Sequence, residues 1–353
     1  MKKTIISGLL AVLLSTPAFA DTSNYILINE YVKAGLNGTT GTMGSGGNTP
    51  PGLQYDNTGT GTFNNRYDYL TPGSPYEGWA VRLDNTSGTK LKLYGNNNAG
   101  FQMDGNTTLA GAWVGTPTAS NGVWASTAAP EFDIKHTYSL PSGQKYIDIT
   151  TRIDAKAAID NLYFGRYIDP DAVAAPGDSS ATDNVRGYGI IPKSNVVFSE
   201  ATVSRYALGL YSAKPTGVNT SIQGWTSDPK NYYNNVGGYD VGNGDDTIGV
   251  AFYNSNIARG DILTYNYAYI FGPSAFGAAS AAITGGAGGG TAGTSSFGTL
   301  TDVGSATSAA SAPSTPPAPT VTGTTTTNTV TNSDTAGTPV VTTSVGAASV
   351  TRT

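Results

Sequence analysis

The stretch Tyr146-Ile147-Asp148-Ile149-Thr150-Thr151-Arg152-Ile153 alternates between two kinds of side chain along its whole length. Successive side chains of an extended chain point to opposite faces. The face expected to be buried is mainly isoleucine: Ile147, Ile149, Thr151 and Ile153. The opposite face is polar: Asp148, Thr150 and Arg152. This period of two predicts a β-strand that packs one face on a core.

Nine more segments carry strand patterns, and Asn-Gly, Ser-Gly, Asp-Gly and Pro-Gly turn signals lie between them. They are residues 25–32, 79–83, 90–94, 132–140, 162–168, 196–199, 206–211, 247–253 and 262–271. Helix patterns are short: residues 154–160 predict two turns, and residues 199–204 are a weaker case. Residues 35–63 have no periodicity, so we expect a long surface loop there.

Composition favours the same class of fold. Charged residues make up 12% of the chain, about half of the ~25% that is typical. Such a surface is solvated by Asn, Thr, Ser and Gly, which favour loops and strands over helices. The predicted fold class is all-β: a large antiparallel β-sandwich or supersandwich followed by a low-complexity extended or disordered tail.

Charge and cysteine content exclude several classes of function. The net charge is −5 and no basic run occurs, so nucleic acid is not an expected partner. The chain has no cysteine, which excludes thiolate catalysis, iron–sulfur clusters and cysteine-bound zinc.

The first twenty residues, MKKTIISGLLAVLLSTPAFA, have the three parts of a secretory signal peptide. Lys2 and Lys3 are followed by an apolar run and by the small-residue cleavage site Ala18-Phe19-Ala20. The apolar run is too short for a bilayer span, so we expect no integral membrane segment in the mature chain. We expect the protein outside the inner membrane, extracellular or associated with the cell surface or outer membrane rather than periplasmic.

The composition changes near Pro273. Residues 284–293, TGGAGGGTAG, form a glycine linker pattern, and residues 312–320, APSTPPAPT, a proline-rich spacer. The rest of the tail is nearly all Thr, Val, Ser, Gly and Ala, too few large apolar groups to offset the entropy of ordering. The expected organisation is a signal peptide at 1–20, a β-sandwich domain at 21–272 and a linker or stalk at 273–353. A stalk of β-repeats is the alternative for the tail.

Three segments carry a resemblance to a known group of proteins. They are residues 72–79 (PGSPYEGW), 166–171 (RYIDPD), and the closing run from 249–252 (GVAF) to 265–272 (YNYAYIFG). Their order resembles large bacterial secreted domains of the β-supersandwich type, related in shape to galactose mutarotase-like folds. The tail resembles the linker that follows a passenger domain in autotransporters and surface-displayed adhesins. The resemblance implies a fold more than a function.

His136 is the only histidine, so a Ser-His-Asp triad would need it and a two-histidine metal site is excluded. It shares its strand face with Phe132, Ile134 and Tyr138, which predicts a packed, hydrogen-bonded side chain. Glu131 or Glu200 with His136 would imitate the Glu and His pair of mutarotase-like folds. No catalytic residue is assigned, and a non-enzymatic protein is favoured.

Two clusters of acidic residues have the oxygen ligands that Ca²⁺ prefers. The first contains Asp169, Asp171, Asp178 and Asp183. The second contains Asp240, Asn243 and Asp245 but lacks the spacing and closing Glu of an EF-hand. The alternative is a turn whose aspartates accept hydrogen bonds from backbone amides, because Pro170 holds Asp169 extended. Ca²⁺ is therefore a candidate ion, and no cofactor is required.

Five aromatic residues in or near polar loops are candidates for sugar binding: Trp113, Trp124, Trp225, Tyr232 and Tyr233. A sugar ring stacks on an aromatic face while Asn or Asp binds its hydroxyls. Ordinary packing under long loops is the competing interpretation.

Two hypotheses of function follow. The first is an exported structural or adhesive surface protein without catalysis, whose partner is a glycan, a surface protein or another copy of itself. It predicts an exposed sheet edge or aromatic patch without convergent ionisable groups. The alternative is a secreted carbohydrate-binding or carbohydrate-active module, mutarotase-like or a glycosidase. It predicts a deep concave pocket on the sheet in which two carboxylates, or a Glu and His136, face one another.

Overall fold

The computed structural model describes residues 21–99, 103–171 and 175–272, together with four short strands between residues 320 and 351. The predicted signal peptide and residues 273–319 of the predicted linker lie outside the described residues. Export and the linker therefore stay predictions. Among the described residues, no helix has the length and apolar character needed to cross a membrane.

The body is built almost entirely of strands, as the composition predicts. In chain order they are β1 Tyr25–Ile28, β2 Val32–Leu36, β3 Leu53–Tyr55, β4 Tyr76–Asp84, β5 Lys90–Asn97, β6 Ala112–Trp113, β7 Asn121–Ser126, β8 Phe132–Ser139, β9 Tyr146–Ala155, β10 Ile159–Asp169, β11 Thr182–Arg186, β12 Val196–Glu200, β13 Ala207–Tyr211, β14 Val218–Gln223, β15 Val241–Gly244, β16 Thr247–Ile257 and β17 Ile262–Phe271. A 3₁₀ turn lies at Asn65–Tyr67, and helix α1 is Pro229–Asn234.

Two antiparallel sheets form a sandwich. The smaller has the order β14-β16-β10-β4-β5 and the larger the order β15-β11-β12-β13-β17-β9-β8-β7-β6. Side chains from both sheets meet in one core, where the ring of Phe164 on β10 lies 5.9 Å from that of Tyr267 on β17. A third antiparallel sheet, β1-β2-β3, adds to the same core. The predicted fold class, an all-β antiparallel sandwich, is confirmed.

In the C-terminal segment four short strands pair antiparallel. Strand β18 (Thr320–Thr322) pairs with β21 (Ser349–Thr351), and β19 (Thr329–Asn332) pairs with β20 (Pro339–Thr342). The stalk or linker role of this segment stays a prediction.

Alternation along the strands places the side chains as expected. In β9 the predicted inner face, Ile147, Ile149, Thr151 and Ile153, is buried, and the polar residues between them are partly exposed. Each of the other predicted strands overlaps an observed one. The first predicted strand, residues 25–32, divides into β1 and β2. The chain turns between them because the side-chain oxygen of Asn29 accepts hydrogen bonds from the N–H groups of Tyr31 and Val32.

Both predicted helices are wrong. Residues 154–160 form the end of β9, a tight turn and the start of β10. The backbone there bonds to neighbouring segments: Ala155 N donates to Asp261 O, and Lys156 N to Glu131 O. Residues 199–204 continue β12 to Glu200 and then turn. In both places backbone pairing with more distant segments outweighs the local helix propensity.

The prediction of a surface loop at 35–63 is wrong for its first half and for β3. Residues 37–43, called the core loop below, enter the interior at one end of the sandwich, and Met43 is fully buried. Its carbonyl oxygens accept hydrogen bonds from buried side chains: Gly38 O from Trp124 Nε1 at 3.1 Å, Thr40 O from Trp79 Nε1 at 2.9 Å and Gly41 O from Tyr138 OH at 2.5 Å. Large side chains in the core thus satisfy backbone carbonyl groups of a loop that is mostly buried, with Thr39 exposed.

A fully buried ion pair joins the core loop to the sheets. Arg166 Nε on β10 donates to Glu77 Oε1 on β4 at 2.5 Å, and both side chains are 0% exposed. Glu77 also accepts hydrogen bonds from Tyr269 OH at 2.7 Å and from Met43 N at 2.6 Å. Burial alone would lower the pKa of Arg166, but Glu77 raises that pKa well above its ordinary value, so the guanidinium stays charged.

Glu77→Gln should lower the free energy of unfolding by about 3–5 kcal/mol, because it leaves the Arg166 charge buried without a counter-charge. Chemical denaturation followed by tryptophan fluorescence measures this loss. The control is Asp133→Asn, whose pair with Lys156 is about one-third exposed on both sides and should be worth less than ~1 kcal/mol. Equal losses in the two variants would contradict the role given to the buried pair.

Candidate functional site

Three of the five aromatic candidates lie in the core, and the expectation that they are exposed is wrong for them. Trp113, Trp124 and Tyr232 are 5%, 0% and 0% exposed. Trp113 Nε1 donates to Ser23 O at 2.7 Å, and Trp124 stacks on His136 with ring centres 5.4 Å apart. The core loop covers Trp124, and the N-terminal segment covers Trp113. Tyr232 lies on helix α1 and stacks on Tyr167 of β10. Trp225 and Tyr233 are partly exposed, and a ligand role for them stays a prediction.

His136 is a packed core residue, as its strand face predicts. It is fully buried, and its Nδ1 lies 2.8 Å from Thr151 Oγ1. Burial lowers the pKa of His136 well below its ordinary value, and the nearby Arg166 charge adds to this shift. The two glutamates considered with it pair elsewhere: Glu131 with Lys92, and Glu200 with Arg205. They do not form the Glu and His arrangement.

The structure divides the predicted metal ligands differently from the sequence. One group of three, Asp169, Asp171 and Asp245, has carboxylate oxygens within 4.8 Å of one another. It combines two members of the first acidic cluster with one of the second. We call it the carboxylate site.

The remaining predicted ligands have other partners. Asp178 accepts hydrogen bonds from the backbone N–H groups of Ala175, Val203 and Ser204. Asp183 pairs with Arg205 and accepts from Asn243 Nδ2 at 3.0 Å. Asp240 pairs with Arg186 and Lys193. The bonding of Asp178 is that of the turn alternative, whereas Asp183 and Asp240 are held in ion pairs.

Strand pairing builds the carboxylate site. Ile168 at the end of β10 lies opposite Ile248 near the start of β16. The segment that precedes β16, which contains Asp245, therefore reaches the point where Asp169 leaves the sheet. Asp171 follows Asp169 by two residues, and its backbone is fixed because its N–H donates to Tyr69 O at 3.0 Å.

Burial and like charge dominate the electrostatics of the carboxylate site. Asp169 is 2% exposed and Asp171 3%, whereas Asp245 is exposed. Asp169 Oδ2 and Asp171 Oδ1 have no hydrogen-bond partner among the described residues. Burial raises the pKa of Asp169 to about 8, with Asp171 and Asp245 adding to the shift and a hydrogen bond from Trp225 opposing it. Burial and Asp245 raise the pKa of Asp171 to about 7.

A column of four stacked aromatic rings ends beside these carboxylates. Trp225 stacks on Tyr76 with centres 5.1 Å apart and planes 1° apart. Tyr76 stacks on Tyr167 at 5.1 Å, and Tyr167 on Tyr232 at 5.6 Å. The rings of Tyr76, Tyr167 and Tyr232 are fully buried, so Trp225 is the one ring of the column that reaches the surface. The column holds its indole in a fixed orientation.

Helix α1 covers the far end of the column for reasons visible in its sequence. The Asp228 side chain accepts from Lys230 N at 3.0 Å and caps the helix, and Pro229 follows at its first position. Tyr232 lies directly on the sheet because residue 249 is glycine: a Cβ there would be 2.2 Å from the Tyr232 ring.

A pocket elsewhere on the body has different chemistry. An open pocket of about 270 Å³ lies between the core loop and β5, and neutral residues such as Thr40, Asn96 and Leu109 line it. The Asn96 amide is already engaged, since its Nδ2 donates to Thr40 O and Leu109 O and its Oδ1 accepts from Leu109 N. Of the two places, the carboxylate site holds the unsatisfied polar groups.

No protein-family model matches the sequence, and no curated protein is significantly similar to it. Solved structures of similar shape include a galactose mutarotase-like protein from Lactobacillus casei (10% identity, TM-score 0.39, 71% of this chain and 100% of that one). They also include a putative aldose 1-epimerase from Escherichia coli K12 (10%, 0.38, 71% and 99%) and a mutant heparan sulfate lyase HepC from Pedobacter heparinus (10%, 0.37, 74% and 37%).

The first two of these structures come from the fold group that the sequence resembles. This chain spans little more than a third of the lyase. At such identities and TM-scores the similarity concerns the β-sandwich alone and carries no argument about activity. The resemblance of the tail to surface-display linkers stays a prediction.

Asp171→Asn should raise the melting temperature of the full chain by about 2–4 °C in the presence of a chelator. A neutral amide keeps the shape of the side chain and removes its repulsion with Asp169 and Asp245. Differential scanning fluorimetry measures the shift. The control Asp183→Asn removes a charge that is paired with Arg205 and should give no increase. A lower melting temperature for Asp171→Asn would show that the carboxylate is satisfied in the folded protein.

Proposed function

We propose that this chain is an exported carbohydrate-binding β-sandwich domain whose ligand lies on Trp225 beside the carboxylate site. The observation that carries the proposal is the fixed, partly exposed indole at the end of the aromatic column, next to carboxylate oxygens that lack partners. A sugar has an apolar ring face and hydroxyl groups at its rim, so it needs these two surfaces side by side.

The aromatic column supports binding because it limits the entropy lost on association. A free surface tryptophan must be ordered when a ligand arrives, at a cost of roughly 0.5–1.5 kcal/mol for a side chain. Trp225 is already stacked in parallel on the fully buried Tyr76. Asp169 receives a hydrogen bond from Trp225 on one side and keeps Oδ2 without a partner.

The structural or adhesive hypothesis predicts a surface without convergent ionisable groups, and three carboxylates converge here. This geometry favours the carbohydrate alternative. The signal peptide expected at residues 1–20 supports a location outside the inner membrane, where a glycan of a surface or matrix is the partner that we propose.

Trp225→Ala should lower the affinity for the bound glycan about fivefold, since stacking on an indole contributes about 1 kcal/mol and about 1.4 kcal/mol corresponds to a factor of ten. A glycan array with the full chain identifies the ligand, and calorimetry with that oligosaccharide measures the loss. Release of new reducing ends in the same mixture would assign the site to a hydrolase instead of a binding module.

Tyr253→Ala is the matched control. Tyr253 is also a partly exposed ring packed against a neighbour, with its centre 4.8 Å from that of Tyr163. Tyr163 lies six residues before Asp169 on β10, or about 20 Å along the strand. Tyr233 contacts both rings, with centres 5.7 Å from Tyr163 and 5.6 Å from Tyr253. Retained binding in Trp225→Ala together with lost binding in Tyr253→Ala would move the site to these three tyrosines. An array without any bound glycan would overturn the proposal.

A further inference from the structure

We infer that Asp169, Asp171 and Asp245 bind one Ca²⁺ ion. The inference concerns the same surface as the carbohydrate proposal but does not depend on it, because each carboxylate can bind a cation whether or not a sugar is present.

The spacing of the oxygens suits calcium. Ca²⁺–oxygen distances are about 2.3–2.6 Å, so two ligands on opposite sides of the ion are about 4.6–5.2 Å apart. The three carboxylates offer oxygens within 4.8 Å of one another. Mg²⁺ gives up its hydration waters reluctantly and is usually bound by only one or two carboxylates, whereas Ca²⁺ takes six to eight oxygens in flexible geometry. Three carboxylates at one place therefore favour the larger ion.

The buried oxygens without partners are the second observation. Asp169 and Asp171 are each at least 97% buried, and Asp169 Oδ2 and Asp171 Oδ1 have no hydrogen-bond donor among the described residues. Both residues belong to the group whose carboxylates lie within 4.8 Å of one another. Asp68 shows how the same fold treats a structural aspartate: its carboxylate accepts hydrogen bonds from the N–H groups of Gly52, Leu53, Leu70 and Thr71. A buried acceptor without a donor is costly, and a cation removes that cost.

Among the residues that the structure describes, no basic side chain pairs with these three carboxylates. Every salt bridge among the described residues involves other acids. The neighbouring Asp246 adds a further negative charge and accepts a hydrogen bond from Tyr239 OH at 2.6 Å. A divalent cation is the ligand that balances this local charge.

The loop before β4 fixes one of the carboxylates. Gly73 has φ of +73°, and a Cβ at this position would lie 2.1 Å from Asp171 Oδ2. Glycine allows both the backbone conformation and the close approach. The loop packs against Asp171 and limits its movement. Calcium takes six to eight oxygens, so water or ligand hydroxyls would complete the coordination.

Calorimetric titration of the chelator-treated full chain with CaCl₂ tests the inference. We expect one ion per chain and a rise in melting temperature with Ca²⁺. Asp169→Asn and Asp171→Asn should each weaken binding at least tenfold and lose most of that rise. Asp183→Asn is the control, because Asp183 bonds to Arg205 and Asn243, and it should bind Ca²⁺ like the unaltered chain.

Terbium luminescence gives a second, independent readout. Tb³⁺ replaces Ca²⁺ at oxygen sites and emits when a nearby indole is excited. Trp225 is such an indole, because it is hydrogen-bonded to Asp169. Emission should appear with the unaltered chain, fall with added Ca²⁺ and disappear in Trp225→Phe, while calorimetric Ca²⁺ binding by that variant persists.

Three results would overturn the inference: no calcium binding by the unaltered chain, unchanged binding by both folded Asn variants, or binding of Mg²⁺ as tight as that of Ca²⁺. None of these results depends on a glycan. A failure of the sugar experiment with successful calcium binding would reject the proposed function alone.

Discussion

The buried pair of Glu77 and Arg166 is the constraint around which the rest of the core is arranged. Two charges in a dry interior are tolerated only when hydrogen bonds surround them. Glu77 obtains those bonds from Met43 and Tyr269, so the core loop and the larger sheet must both be in place. The same loop accepts hydrogen bonds from Trp79, Trp124 and Tyr138. A polar interior thus specifies how three parts of the chain fit together.

The strands could be predicted because their pattern is local. The alternation at Tyr146–Ile153 records which face of β9 is buried, and no distant residue changes it. The core loop could not be predicted in this way. Its Gly- and Thr-rich sequence is typical of a surface loop, and it is buried because large side chains elsewhere offer donors to its carbonyl oxygens. Residues 154–160 illustrate the converse, since a good local helix pattern is overruled by backbone pairing.

The candidate site shows the same division. The oxygen chemistry of Asp169, Asp171 and Asp245 was visible in the sequence, but they were placed in two separate clusters. Their meeting depends on the register in which Ile168 faces Ile248, and register is a property of the sheet. Among the aromatic candidates, Trp225 reaches the surface while Trp124 does not. The difference is set by which loop covers each ring, and composition does not reveal it.

The hydrogen bond between Glu77 and Tyr269 spans 192 positions of the chain. This hydrogen bond cannot form before β17, the last strand of the body, is in place, because β17 carries the Tyr269 hydroxyl that donates to the Glu77 carboxylate. When the chain emerges N-terminus first, from a ribosome or from a translocation pore, its core therefore stays incomplete until nearly the whole body has emerged. Contacts so distant in sequence slow folding, so the body stays incompletely folded until its last strand is available.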